Sequence, residues 1–150
     1  DRLAALGLTS MVKTSCSKGL HVVVPLVRRS NWAEVKQFAR AVAESAAKES
    51  PRKYTATMAK TKRKGKIYLD YLRNSRGATS VAAYSTRARQ GAPVSTPLRW
   101  EELSDNLTAD AYNIHNLSRR LGQLKSDPWA EISGLQQSLT RKMKETLGLA

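Results

Sequence analysis

The sequence is almost without cysteine. Its single one, Cys16, permits no internal disulfide and no zinc site built on thiolates, and it fits a reducing compartment. Long apolar runs are missing too: no stretch of roughly eighteen such residues occurs, so no membrane-spanning helix is expected. The opening, DRLAALGLTSMVKTS, is amphipathic and lacks the basic, apolar and small-residue layout of a signal peptide. It also lacks an initiator Met, so the chain reads as if cut from something longer. The phosphate-binding pattern GxxxxGK[ST] does not occur. Acids are scarce: 12 Asp and Glu stand against 26 Lys and Arg, a net charge of +14.

What is present describes one globular domain. The 150 residues suffice for a core, and a composition 41% hydrophobic and 25% charged is not that of a disordered chain. The charge is concentrated. Residues 51–90 hold eleven basic residues and one acid, Asp70, while basic and acidic residues nearly balance elsewhere. Such an excess implies a polyanionic partner, nucleic acid or nucleotide. The plainer alternative is a solvated basic surface.

Patterning predicts an α+β fold, a mixed sheet flanked by helices. Arg2 to Leu6 reads as a helix stopped by Gly7, and Met11 to Thr14 as a short strand. After a loop at 15–19, His21 to Leu26 is a strand whose unbroken valines suggest burial on both faces. Asn31 caps a helix that carries Trp32, Val35, Phe38, Ala39, Val42 and Ala46 on one face, reaches about Glu49 and stops at Pro51. Tyr54 to Met58 is a weaker strand and 60–66 a basic, hairpin-like link. Ile67 to Leu72 is a clear strand with Tyr68, Asp70 and Leu72 on one face, and Val81 to Tyr84 is a third candidate. Residues 90–97 read as loop, Trp100 to Leu103 as a short helix, and 118–124 and 128–147 as two more helices. Trp32, Trp100 and Trp129 head amphipathic helices and are expected in the core, and His115 is expected to be structural.

The candidate chemistry lies in three places. Ser15-Cys16-Ser17-Lys18-Gly19 offers backbone N–H groups, two hydroxyls and an ammonium to one phosphate, and His21 follows at the head of a strand, able to donate to phosphate in either protonation state. A common Ser/Lys/Gly loop and a backbone-satisfied histidine are the plain alternatives. Asp70, an acid in an apolar strand, needs either a divalent cation or a cationic neighbour such as Arg63 or Lys66. Arg87 and Arg89, two apart, would point the same way on an extended segment, as a fork for a triphosphate or as a solvated strand face. Nothing specifies a base for Cys16 as a nucleophile.

Taken with KTSCSKGLHVVVPL, YTATMAKTKRKGKIYLDYLRNSRGATSVAAYSTRAR, GAPVSTPLRWEEL and DPWAEI, the chain resembles the primase-polymerase domain of bacterial ligase D, in the archaeo-eukaryotic primase superfamily. The resemblance covers nearly all of it. It implies a nucleotidyl transferase adding NTPs, ribonucleotides preferred, to DNA 3′ ends in non-homologous end joining, with Mn²⁺ or Mg²⁺ as cofactor. It implies triphosphate contacts at Ser15, Ser17, Lys18, His21, Arg63, Arg87 and Arg89, and makes Asp70 the third of the metal-binding acids. It suggests DNA ends, a ligase module and an end-binding protein such as Ku as partners, in a bacterial cytoplasmic, nucleoid-associated setting.

Two departures stand out. The family usually has glycine at the place of Cys16; if that place needs a left-handed backbone, cysteine costs about 1–2 kcal/mol. The family's Asp-x-Asp pair and its residues for a DNA 5′-phosphate precede the loop, and Asp1 cannot stand in for them. The expectation is therefore a C-terminal portion of the domain, with an incomplete two-metal site, no appreciable polymerase activity alone and an exposed sheet edge. The alternatives are a non-catalytic basic remnant that binds nucleic acid and, more weakly, a nuclease using Asp70 and His21.

Overall fold

The computed structural model describes residues 2–149, so Asp1 lies outside the described residues. The chain divides into two units: Leu3–Pro25 with Val81–Gln136, and Arg2 and Leu26–Ser80 with residues 137–149. Strands and helices mix as the α+β reading predicts.

In the first unit, α1 (Arg2–Ala5) ends at Gly7, whose φ of 78° suits a residue without Cβ. Then β1 (Met11–Thr14) forms the middle of a three-stranded antiparallel sheet, with β2 (Leu20–Val23) on one side and β5 (Pro97–Leu98) on the other. Lys13 lies opposite His21 on β2 and opposite Pro97 on β5. All four residues of β1 are buried. β2 is not the doubly buried strand its valines predict. It is an edge, with Leu20 41% and Val22 50% exposed, because a strand paired on one side only has little to cover its outer face.

Residues 90–96 belong to no strand or helix, as the loop reading expects, and β5 takes only Pro97 from that stretch. The prolines and glycine suggest loop, yet 93–98 are buried without exception. Side chains add to the backbone bonds there, among which Thr14 N donates to Thr96 O (3.0 Å) and Val94 N to Tyr112 O (2.8 Å). Thr14 Oγ1 donates to Val94 O (3.1 Å) and accepts from Thr96 N (2.8 Å), and Ser95 Oγ donates to Thr14 O (2.7 Å). Val81 to Tyr84 forms no strand. Only an isolated bridge between Thr86 and Val94 appears nearby.

A 3₁₀ turn at Trp100–Glu102 and α3 (Leu117–Gln123) are joined by Arg120, whose Nη1 and Nη2 donate to Glu102 at 2.5 and 3.0 Å. The same guanidinium donates to Pro97 O at 3.1 Å, tying α3 to β5. Trp100 is 44% exposed rather than core; its indole N–H reaches Ser10 O (2.8 Å), while that of the half-buried Trp129 reaches Val12 O (3.0 Å). His115 is exposed.

In the second unit, α2 (Trp32–Glu49) follows its predicted bounds: Asn31 accepts from Glu34 N, Glu34 returns a bond to Asn31 N, and Pro51 follows the last turn. Phe38 and Ala43 are buried, whereas Trp32, the first residue of the helix, is 57% exposed. β3 (Tyr54–Thr55) and β4 (Ile67–Tyr68) pair in parallel, so the basic link between them is a crossover with a 3₁₀ turn at Lys60–Arg63, not a hairpin. β4 stops at Tyr68, well short of the predicted Leu72. The expected helix over 128–147 is broken as well. A 3₁₀ turn at Ile132–Gly134 gives way to irregular chain, and α4 (Arg141–Thr146) starts afresh from Thr140, which accepts from Met143 N. Gly134 and a capping threonine outweigh the four-residue apolar spacing. α4 meets α2 through Lys144 Nζ and Glu34, 3.0 Å apart.

Burial by itself would push the Glu102 carboxyl up. Hydrogen bonds from Arg120 and from the Arg99 N–H, with the Arg120 charge, hold it below its ordinary 4.5. A depressed carboxyl contributes stability that is present above the unfolded value and lost as pH falls through the folded one. Glu102→Gln is therefore expected to cost about 1–2 kcal/mol at neutral pH. That deficit against wild type should shrink on acidification below 4.5, followed by urea denaturation.

Candidate functional site

The turn joining β1 to β2 is the part of the predicted site built most firmly. Ser15 N donates to Gly19 O (3.1 Å), and Gly19 N donates to Ser15 Oγ (3.2 Å), so this pair closes the turn on itself. Ser15 is accordingly buried, with its hydroxyl spent on the turn rather than presented outward. Cys16 N donates to Ala109 O (3.0 Å). Among the described residues, none accepts from the N–H groups of Ser17 and Lys18, and Lys18 is exposed. Two adjacent N–H groups in a turn, beside a free ammonium, form a concavity suited to an oxyanion.

Strain sits at Cys16, not at Gly19. Cys16 has φ of 59°, in the left-handed region, while a Cβ placed on Gly19 would meet nothing. The expected departure from glycine thus falls where a side chain is disfavoured. The thiol is 1% exposed. Burial pushes it above its ordinary range, and the charges of Lys13 and Arg87, with the neighbouring Ser95 hydroxyl, pull the other way without prevailing. It is an inert thiol, in keeping with the absence of an activating base.

Arg87 and Arg89 reach this turn, but not as an extended fork. Arg89 N donates to Arg87 O (2.8 Å), which bends the backbone tightly between them, while Arg87 N donates to Pro93 O (3.0 Å). Arg89 Nη1 then donates to Ser17 Oγ at 2.6 Å. The structure therefore brings Ser17 and Arg89 together, with the Arg87 charge felt at Cys16 between them. His21 stands on β2, partly buried and engaged with the rest of the fold.

Sequence reasoning passed over Lys13. It is 4% exposed, and its Nζ donates to Val81 O (2.6 Å) and Ser95 Oγ (2.7 Å). Burial lowers it from its ordinary value, with the Cys16 thiol acting in the opposite direction. A lysine inside an otherwise apolar and hydroxyl-bearing strand, MVKT, is the signal that was there to be read.

Asp70 and Arg63 belong to the other unit. Asp70 is exposed, past the end of β4, and its Oδ1 accepts from Leu72 N at 2.9 Å in a local turn. This removes the premise of a buried strand carboxylate, and also the ion pair with Arg63 or Lys66. Arg63 instead donates to Thr57 O and Met58 O and lies 3.7 Å over the Tyr68 ring. Burial first, and then the Asp70 charge, raise the Tyr68 hydroxyl, which is left without a hydrogen-bond partner among the described residues. No group of three or more His, Cys, Asp or Glu side chains clusters among the described residues. A single exposed carboxylate does not fit a two-cation centre by itself. Among the described residues, no helix is long and apolar enough to cross a membrane.

The chain has clear relatives. A family model described as the LigD primase-polymerase domain matches residues 1–129. The chain is 47% identical over 147 residues to the multifunctional non-homologous end joining protein LigD of Pseudomonas aeruginosa, covering 97% of this chain and 18% of that protein. It is 32% identical over 120 residues to the bifunctional non-homologous end joining protein LigD of Bacillus subtilis, covering 79% and 20%. A solved structure of the polymerase domain of Mycobacterium tuberculosis ligase D in complex with DNA matches with a TM-score of 0.80 at 31% identity, over 90% of this chain and 46% of that one. The chain thus spans about a fifth of the curated relatives and just under half of that solved chain.

The left-handed backbone at Cys16 sets a stability test. Cys16→Gly is expected to stay within about 1 kcal/mol of wild type, since relief of strain offsets lost burial. Cys16→Val, β-branched and intolerant of positive φ, should lose about 1–3 kcal/mol in chemical denaturation. Equal losses for both variants would mean that the turn relaxes out of the left-handed region.

Proposed function

Since the chain belongs to the LigD primase-polymerase domain family, we propose that it is the triphosphate-handling portion of a polymerase that adds NTPs, preferably ribonucleotides, to DNA 3′ ends during non-homologous end joining. The observation that carries this reading is the 2.6 Å contact between Arg89 and Ser17, which joins the RxR arginines to the β1–β2 turn. In this reading the N–H groups of Ser17 and Lys18 and the Lys18 ammonium hold one phosphate, and Arg87 and Arg89 neutralise the others. Ser15 shapes the turn, and His21 borders it. The exposed lysines 60, 62, 64 and 66 attract the DNA backbone. A ligase module and Ku are the partners this role calls for.

The expected Mn²⁺ or Mg²⁺ would find one carboxylate here, Asp70. The described residues do not complete a centre for it, so no step of transfer is assigned to them. The chain alone is expected to bind NTP and DNA without extending a primer. Extension calls for carboxylates supplied from elsewhere, such as the part of the Pseudomonas aeruginosa LigD polymerase domain that this chain does not match.

The rival reading, a non-catalytic nucleic-acid-binding remnant, draws on that missing carboxylate cluster and on the unbalanced basic stretch. Both readings expect DNA binding that weakens steeply with salt and is indifferent to Asp70→Ala. They separate on nucleotide. ATP titrated calorimetrically into wild type and into Arg89→Ala should show at least a roughly tenfold loss in the variant, the size expected when a charge-assisted bond to phosphate is removed. Identical affinities would leave only the rival. In the mixture with the relative's remaining polymerase segment, NTP addition that Asp70→Ala abolishes would support the polymerase.

A further inference from the structure

Lys13 has no part in the reading so far, yet it is a costly residue in its position. It lies on the central strand of its sheet and is 4% exposed. A buried ammonium is expensive unless it is paired, and among the described residues no carboxylate pairs with this one. Its two acceptors are neutral: Val81 O at 2.6 Å and Ser95 Oγ at 2.7 Å. A leucine or methionine would pack the same space at no desolvation cost.

The two acceptors have a telling place in the chain. Val81 stands at one end, and Ser95 at the other, of the segment that carries Arg87 and Arg89. The two arms of that segment are closed on each other by Tyr84 N to Ser95 O (2.7 Å), Ser95 N to Ser85 O (2.9 Å) and Arg87 N to Pro93 O (3.0 Å), around the Thr86–Val94 bridge, and the ammonium ties the closed loop to β1. One ammonium therefore grips both ends of the arginine loop. Ser95 Oγ passes the grip on to Thr14 O (2.7 Å), the last residue of β1 before the phosphate turn. The Cys16 thiol within that turn feels the charges of both Lys13 and Arg87.

We propose that Lys13 is a positioning residue for the nucleotide triphosphate: it pins both ends of the 81–95 loop to β1, so that Arg87 and Arg89 stand at the Ser15–Gly19 turn. Its charge, unneutralised by any acid, adds to the field an incoming triphosphate meets. The inference rests on the nucleotide-binding reading above and assigns a residue which that reading leaves idle.

The test is a double-mutant cycle on the full chain, with ATP and inorganic triphosphate as probes and calorimetry as readout. Lys13→Met is expected to weaken both probes at least tenfold in the wild-type background. In an Arg89→Ala background it should weaken them less than about threefold, because its effect runs through the arginine loop. Lys13→Arg should restore part of the affinity. Ser95→Ala, which cuts one of the two grips, should reproduce a smaller, equally coupled loss, and it decides the matter if Lys13→Met fails to fold. Wild-type affinity in a folded Lys13→Met, or losses that multiply fully with Arg89→Ala, would overturn the role of Lys13 while leaving nucleotide binding intact. Should Arg89→Ala itself bind ATP as wild type does, the nucleotide reading and this one fall together.

Discussion

The side chain of Thr14 is the fixed point of the unit that carries the phosphate turn. It is fully buried, donates to Val94 O and accepts from Thr96 N. A segment with two prolines cannot run a full ladder beside β1, since proline has no N–H to give. The threonine hydroxyl and the Ser95 hydroxyl supplement the backbone bond from Thr14 N to Thr96 O, and 93–98 are buried throughout. Each hydroxyl is both donor and acceptor here, which is how buried polar groups avoid their desolvation cost. Both parts of the candidate site in this unit hang from this seam: the turn begins one residue after Thr14, and the arginine loop ends at Ser95.

The parts of the fold legible in the sequence are those set by local rules. The Asn31 cap, the Glu34 that answers it and Pro51 delimit α2 without help from tertiary structure. Gly7 does the same for the end of α1, and the short strand read at Met11 to Thr14 is β1. The misreadings share one cause, which is that burial is decided by neighbours distant in sequence. HVVV looks like an interior strand but lies at an edge. GAPVSTP is loop over most of its length yet interior, because Val94 O, the Ser95 hydroxyl and Thr96 N find partners some eighty residues away. KIYLDYL breaks after two residues of strand, which moves Asp70 from a buried face to an exposed turn.

Of the candidate site residues named from the sequence, the structure brings Ser17 and Arg89 into contact, although 72 positions separate them. The same spacing of two that predicted a fork turns out to bridge a tight bend. Arg63 is engaged with carbonyls and the Tyr68 face, so its guanidinium is already oriented by neutral groups. Lys13 went unread because a lysine in a four-residue strand is ordinarily taken as the solvent-facing partner of an alternating pattern. Its burial depends on the 81–95 segment covering it, which no local rule anticipates.

The cations that surround the turn have a common feature with a physical consequence. Arg89 is held by a serine hydroxyl, and Lys13 by a carbonyl and a hydroxyl, and among the described residues no acid forms an ion pair with either. A cation oriented by a carboxylate must give up that ion pair before it can serve a phosphate, and the exchange gains little. A cation oriented by neutral dipoles keeps its charge available and loses only a hydrogen bond worth about 1 kcal/mol net. The fold itself bears the cost of holding unpaired positive charge in a buried lysine. An anion arriving at Ser17 and Lys18 therefore meets donors already in place. Under the proposed function, such preorganisation is what would let an open surface turn compete with water for a triphosphate.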